Sequence, residues 1–256
     1  QDLLVALKRA GKLSVDDILK GVKEYAGESL RFAPDVDGYF LPEPVAQIYA
    51  EGKQAHVPML AGWNKDEARA AVVLAKVKPT PESFKAEAQK YFGDRADEFL
   101  KLYPAATDAE AIESAGDFAS DRFIIYSTWR WLEAQVATGD APVYRYRLDL
   151  GSPGDKFHPS SIGAFHSDDI EYVFGTLDSR QEAVWRPEDR KLSDEIQQYW
   201  TNFAKTGDPN GGNLPKWPAY HATDWMVMHL DADSEAKPDA QRARYLFLDS
   251  VWGKPE

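Results

Sequence analysis

"GAFHSDDIEY", residues 163–172, sets His166 just before Asp168 and Asp169, with Glu171 close behind. Three readings compete for such a cluster: metal ligands, a solvated surface turn, or the histidine of a catalytic triad. A helical zinc site wants histidines at i and i+4, but position 170 is isoleucine. His158 lies eight residues away behind Pro159, which matches no recognised ligand spacing. A calcium loop needs regularly alternating acids with a glycine, and Asp168, Asp169 and Glu171 do not supply that pattern. On the local residues alone the solvated turn outranks the metal site, because most acids after a loop glycine are simply hydrated.

The surrounding chain narrows the choice. Upstream, "APVYRYRLDL" alternates Tyr144, Tyr146 and Leu148 with Arg145 and Arg147, the period-2 signature of a strand. Downstream, Ile196, Tyr199, Trp200 and Phe203 mark a helix from Ser193 to about Lys205, which Gly207 ends. "WMVMHL" (225–230) reads as another strand. Earlier, "HVPML" (56–60) leads into "AGWNKDEARAAVVLAK", expected to begin as a turn and continue as a helix over 65–76. "PESFKAEAQKYF" and "ADEFLKLYP" predict amphipathic helices separated by Gly93 and ended at Pro104. A longer helix is expected over about 114–138, with Phe118, Ile125, Trp129, Leu132 and Val136 on one face and Gly139 as its C′ residue. Strands separated by long helices predict an α/β fold with a mainly parallel sheet. Chemistry in such folds gathers just after the strands, where Glu67 and His166 both fall.

Composition excludes several classes. The 42 acidic residues exceed the 30 basic ones, for a net charge of −12, so a phosphate backbone is a poor partner. The absence of cysteine removes disulfides, thiolate metal sites and cysteine nucleophiles together. "AAVVLA" (70–75) and "VPMLAGW" (57–63) are far shorter than the ~20 residues a membrane span needs. The opening "QDLLVALKRAGKLS" does not read as a signal peptide. The compartment stays open, with a secreted or periplasmic setting favoured over the cytoplasm.

A triad needs an acid and a nucleophile. Glu67, in "NKDEARAAVVL", is the acid candidate, but the segment also reads as a capping box in which Asn64 is the N-cap and Glu67 its N3 partner. A hydrolase serine would sit in a G-x-S-x-G elbow. Among the 17 glycines only Gly207 and Gly211 have that spacing, with Pro209 between them. Ser114, in "IESAGD" (112–117), is a near miss: Ile112 replaces the first glycine, no strand precedes it, and it follows Glu67 instead of leading it. It reads as a serine at a helix start.

"GWNKDEA" and "GAFHSDDIEYVFG" resemble the acid and histidine segments of type B carboxylesterases, the family that includes the cholinesterases. "FAPDVDGYFLPEP" (32–44), and "YWTNFAKTGDPN" with "WPAY" (199–220), match further family segments in order. The resemblance implies an α/β-hydrolase fold, of which residues 1–256 would form the C-terminal half of a single domain, with a mainly parallel central sheet and flanking helices. It implies a serine esterase with Glu67 as triad acid and His166 as general base, a small-molecule ester as substrate and no cofactor. The nucleophilic serine and oxyanion hole would come from an N-terminal half, the implied partner. The alternative is a non-catalytic, cholinesterase-like adhesion or binding protein. Positions 70 and 71 are alanines where cholinesterases carry aromatics, and Arg69 stands beside them, so a site for a cationic substrate is not expected. The missing cysteines depart from the disulfide-bonded animal members and suggest a microbial enzyme.

Overall fold

The computed structural model describes residues 14, 16–17, 20–21, 34–156 and 158–253. Most of the opening segment, and the first residues of "FAPDVDGYFLPEP", lie outside these. Contacts divide the chain into two units, 1–48 and 49–256. In the first, Asp37 Oδ1 accepts the backbone N–H groups of Tyr39, Phe40 and Leu41 at 2.9–3.1 Å, closing a local turn.

The second unit is built on a four-stranded sheet in the order β1 (Met59–Asn64), β2 (Val143–Leu148), β3 (Met226–Leu230), β4 (Glu235–Pro238). The first three strands run parallel, and β4 is antiparallel to β3. The α/β class with a mainly parallel sheet is therefore as expected. Strand β1 takes in "GWN", where the sequence predicts a turn. In register with Leu148, Asn64 ends the strand, and the chain stays irregular until a single helical turn, α1 (Ala71–Leu74). The helix expected over 65–76 is corrected accordingly. Side-chain hydrogen bonds to the 64–68 backbone, described below, compete with helical ones there.

Helices α2 (Pro81–Phe92) and α3 (Ala96–Leu102) form as expected, Thr80 and Ser83 closing a capping box before α2. The long helix begins earlier than expected and is interrupted: α4 (Asp108–Ser120), a π turn over Asp121–Ile125, then α5 (Tyr126–Thr138). Gly139 is extended at φ −111°, so it ends α5 without the left-handed geometry of a C′ glycine. Ser114 is not a helix-start residue. It is buried within α4, where Thr107 is the cap, and donates to the Pro104 carbonyl at 2.5 Å. A short helix α6 (Ile170–Phe174) follows the opening motif. Helix α7 (Pro187–Thr206) starts six residues before Ser193 and ends at Gly207 in the left-handed conformation (φ +75°). The chain closes with α8 (Arg242–Trp252).

Alternation along β2 separates two cores. Tyr144 and Leu148 pack with Leu192, Ile196 and Tyr199 of α7. Val143 faces Trp129 and Leu132 of α5 and Tyr245 of α8. Both faces are covered, as a parallel sheet requires. Each fully buried aliphatic side chain contributes about 1.5–3 kcal/mol relative to exposure. Arg145 shares the α5–α8 face and is 1% exposed, a location the alternation alone would give to an apolar side chain. Its guanidinium bonds Asp239 at 2.6 Å and lies 4.5 Å from the Trp63 ring, so the buried charge is both paired and aromatic-lined. A third core gathers Phe84, Phe92, Phe99, Phe118 and Phe247 from α2, α3, α4 and α8. It braces α4 beside the segment after β1.

Candidate active site

Glu67 lies three residues beyond β1, in a segment held by backbone and side-chain bonds to the loop after β2. Lys65 N–H donates to the Leu148 carbonyl and Asp66 N–H to the Ala164 carbonyl, both at 2.9 Å. Ala164 N–H returns a bond to Asp66 Oδ2 at 3.1 Å. Burial pushes the Asp66 carboxyl up, the opposing charge of Lys65 and the Ala164 N–H notwithstanding. Gly163 is required at this crossing: its φ is +67°, and a Cβ there would stand 2.1 Å from Asp66 Oδ2.

These two segments bring the expected acid and base together across 99 positions of sequence. His166 Nδ1 lies 2.6 Å from Glu67 Oε2. The other oxygen, Oε1, accepts the Asn64 N–H at 2.8 Å. Glu67 is 8% exposed, whereas the imidazole side chain is 51% exposed. A carboxylate accepts only, so the Glu67 contact places the hydrogen on Nδ1 and leaves Nε2 as the ring's acceptor. That is the arrangement a general base needs.

The Asn64 N–H to Glu67 bond forms, but no helix follows, and the Asn64 side chain points elsewhere: its amide nitrogen donates to the Phe165 carbonyl at 2.8 Å and to Asp169 Oδ1 at 3.2 Å. The three acids of the opening motif go separate ways. Asp168 is fully buried, accepting the Ser152 N–H at 2.9 Å and pairing with Arg180 at 3.1 Å. Burial nonetheless pushes its carboxyl up. Asp169 meets Asn64, and Glu171 sits in the first turn of α6. Among the described residues no three histidine, aspartate or glutamate side chains converge as metal ligands would.

Sequence reasoning missed several supports. Ser120, 1% exposed at the end of α4, accepts the Ala68 N–H at 2.9 Å and donates to its carbonyl at 3.2 Å, fixing the residue after Glu67. Phe123, in the π turn, meets the His166 ring edge-on at 4.9 Å. π turns recur at functional sites, and this one follows Ser120 directly and carries Phe123. Ser167 has φ +72°, a left-handed conformation directly after the histidine. Burial, with the charges of Asp169 and Glu67 nearby, pushes the Tyr146 hydroxyl up. Trp63 is a packing residue, buried against Tyr245, and the half-buried Phe165 stacks on His158 at 4.7 Å. A cavity of about 370 Å³ opens beside the acid segment, with Arg69, Ala70, Ala71, Ile112, Gly116 and Asp117 on its walls.

Comparison with known proteins places the chain as a whole in a family. The carboxylesterase family model matches residues 5–248. The chain is 28% identical over 258 residues to para-nitrobenzyl esterase of Bacillus subtilis, covering 94% of this chain and 49% of that protein. It is 31% identical over 194 residues to fumonisin B1 esterase of Sphingopyxis macrogoltabida (73% and 35%). It is 28% identical over 213 residues to carboxylesterase 4A of Bos taurus (78% and 38%). The chain thus spans about a third to a half of the length of these curated relatives. With the α/β sheet, the helices on its faces and a family match over nearly every residue, the chain belongs to the carboxylesterase family.

Proposed function

We propose that the protein is a serine carboxylesterase in which this chain supplies the general base, His166, and the triad acid, Glu67. Residues 1–256 then form the C-terminal part of a single α/β-hydrolase domain. The serine and the oxyanion-hole donors come from a segment that precedes them in the enzyme. The observation that carries this reading is the 2.6 Å contact between His166 Nδ1 and a buried Glu67 carboxylate, with the other side of the imidazole open.

Nε2 would take the proton of the serine hydroxyl as its oxygen attacks the ester carbonyl. The same proton passes to the leaving alcohol, giving an acyl-enzyme, and water repeats the cycle to release the acid. Glu67 keeps the hydrogen on Nδ1 and stabilises imidazolium as it forms. Small alanines at 70 and 71, with Arg69 beside them, favour uncharged or anionic esters over cationic ones.

The test uses the intact enzyme and a p-nitrophenyl ester. His166→Ala is expected to lower kcat by about 10⁴-fold or more. Near-parental turnover by that variant would sink the assignment. Failure of the parent enzyme to react with a fluorophosphonate probe would favour the non-catalytic binding protein instead.

A further inference from the structure

We propose that Asn64 is a positioning residue whose amide ties together the two ends of the turn carrying His166, and so holds the imidazole against Glu67. The inference rests on the esterase reading for its kinetic consequences, though its geometry stands independently.

The turn runs from Phe165 to Asp169. It is closed by one backbone bond, Asp168 N–H to the Phe165 carbonyl at 3.0 Å, and contains Ser167 in a left-handed conformation that a residue with a Cβ disfavours. A strained turn persists only where its surroundings over-determine it. Asp168, inside the turn, is anchored to Ser152 and Arg180, and Asn64 adds the tie that joins the two ends on either side of it. The Asn64 amide nitrogen reaches the Phe165 carbonyl at one end of the turn (2.8 Å) and Asp169 Oδ1 at the other (3.2 Å). A carbonyl and a carboxylate both accept, so only the amide NH₂ fits between them, and its orientation is fixed by chemistry.

The anchor itself is rigid. Asn64 is 2% exposed and in register with Leu148 at the end of β1. Its backbone N–H holds Glu67 Oε1 at 2.8 Å. One residue therefore contacts the acid through its main chain and both ends of the histidine turn through its side chain. Asp66 also crosses to this loop, but it holds Ala164, outside the turn. Removing the Asn64 amide leaves the Glu67 contact to the main chain intact and releases only the histidine side, which separates the two functions.

The experiment compares Asn64→Ala, Asn64→Asp and, as a control for a buried amide elsewhere, Gln135→Ala in the intact enzyme. Gln135 is equally buried and bonds the Val57 carbonyl. Ester turnover is measured alongside the proton NMR resonance of the imidazole N–H held by Glu67. Asn64→Ala is expected to lower kcat on the order of 100-fold with KM little changed, and to broaden that resonance. Asn64→Asp keeps the shape but loses the donor, so it should be at least as impaired. Adding Ser167→Gly, which lets the turn close without strain, should recover part of the kcat lost in Asn64→Ala. Gln135→Ala should leave both readouts unchanged. Parental kcat and an unchanged resonance in Asn64→Ala would overturn the proposal. So would a loss matched in Gln135→Ala, or full activity in Asn64→Asp. If the parent itself does not turn over esters, the esterase reading fails, and the resonance alone still decides whether Asn64 holds the imidazole.

Discussion

Glu67→Gln tests the acid most sharply, because the structure dictates how the new amide must sit. The parental carboxylate accepts from two directions: the Asn64 N–H at 2.8 Å on Oε1 and the imidazole Nδ1 at 2.6 Å on Oε2. A glutamine has one acceptor and one donor end. The backbone N–H cannot turn away, so the amide oxygen must face Asn64 and the NH₂ must face the imidazole. Nδ1 then becomes the acceptor and the ring hydrogen moves to Nε2, the nitrogen that takes the serine proton in the proposed mechanism. The expected cost in kcat is about 10⁴-fold, or about 5 kcal/mol of transition-state stabilisation. KM should change little, because in the proposed mechanism the acid acts through the imidazole. The fold should survive, since the substitution is isosteric and removes a buried charge. Steady-state kinetics on a p-nitrophenyl ester with the intact enzyme measures this. A kcat within tenfold of the parent would refute the tautomer argument and with it the role of Glu67.

Three further outcomes follow from the surrounding structure. Arg145→Ala leaves the 3%-exposed Asp239 side chain buried without its partner and should cost about 3–5 kcal/mol by denaturant titration; Arg145→Met with Asp239→Asn, which removes both charges, should recover most of it. Burial pushes the Asp149 carboxyl up, but hydrogen bonds from His229 (2.6 Å) and Arg147 (2.5 Å) outweigh it and hold it below the usual range. The stability this gives is present above the unfolded carboxyl range near pH ~4 and is lost as pH falls through the folded value. Asp149→Asn should therefore lower the denaturation midpoint at pH 6–7 and flatten the acid limb below about pH 4; an unchanged acid limb would refute the linkage. Ser167, at φ +72°, should gain up to about 1 kcal/mol on replacement by glycine and lose about 1–2 kcal/mol on replacement by valine, as thermal unfolding will show.

How much of this was legible in the sequence depended on the range of the interactions involved. Strand β2 was readable because its side chains alternate, a property of neighbours in the chain, and β3 as a short apolar run. Strand β4, "EAKP", has no such alternation and exists through its backbone pairing with β3. The π turn in "DRFII" inserts one residue into a helical pattern, too small a phase change for the periodicity of Phe118, Ile125 and Trp129 to reveal. The burial of Arg145 depends on Asp239, 94 positions away. At the site, Glu67 and His166 were found through family resemblance, since nothing in their spacing predicts a contact. Asn64 is the most informative case. The capping-box reading required its N–H to meet the Glu67 carboxylate, and it does. A helix cap and a support for an acid–histidine pair share that local bond, so no local pattern could separate them. What distinguishes them is the destination of the Asn64 side chain. In a capping box it turns to its own N3 backbone; here it crosses 101 residues to the carbonyl beside His166.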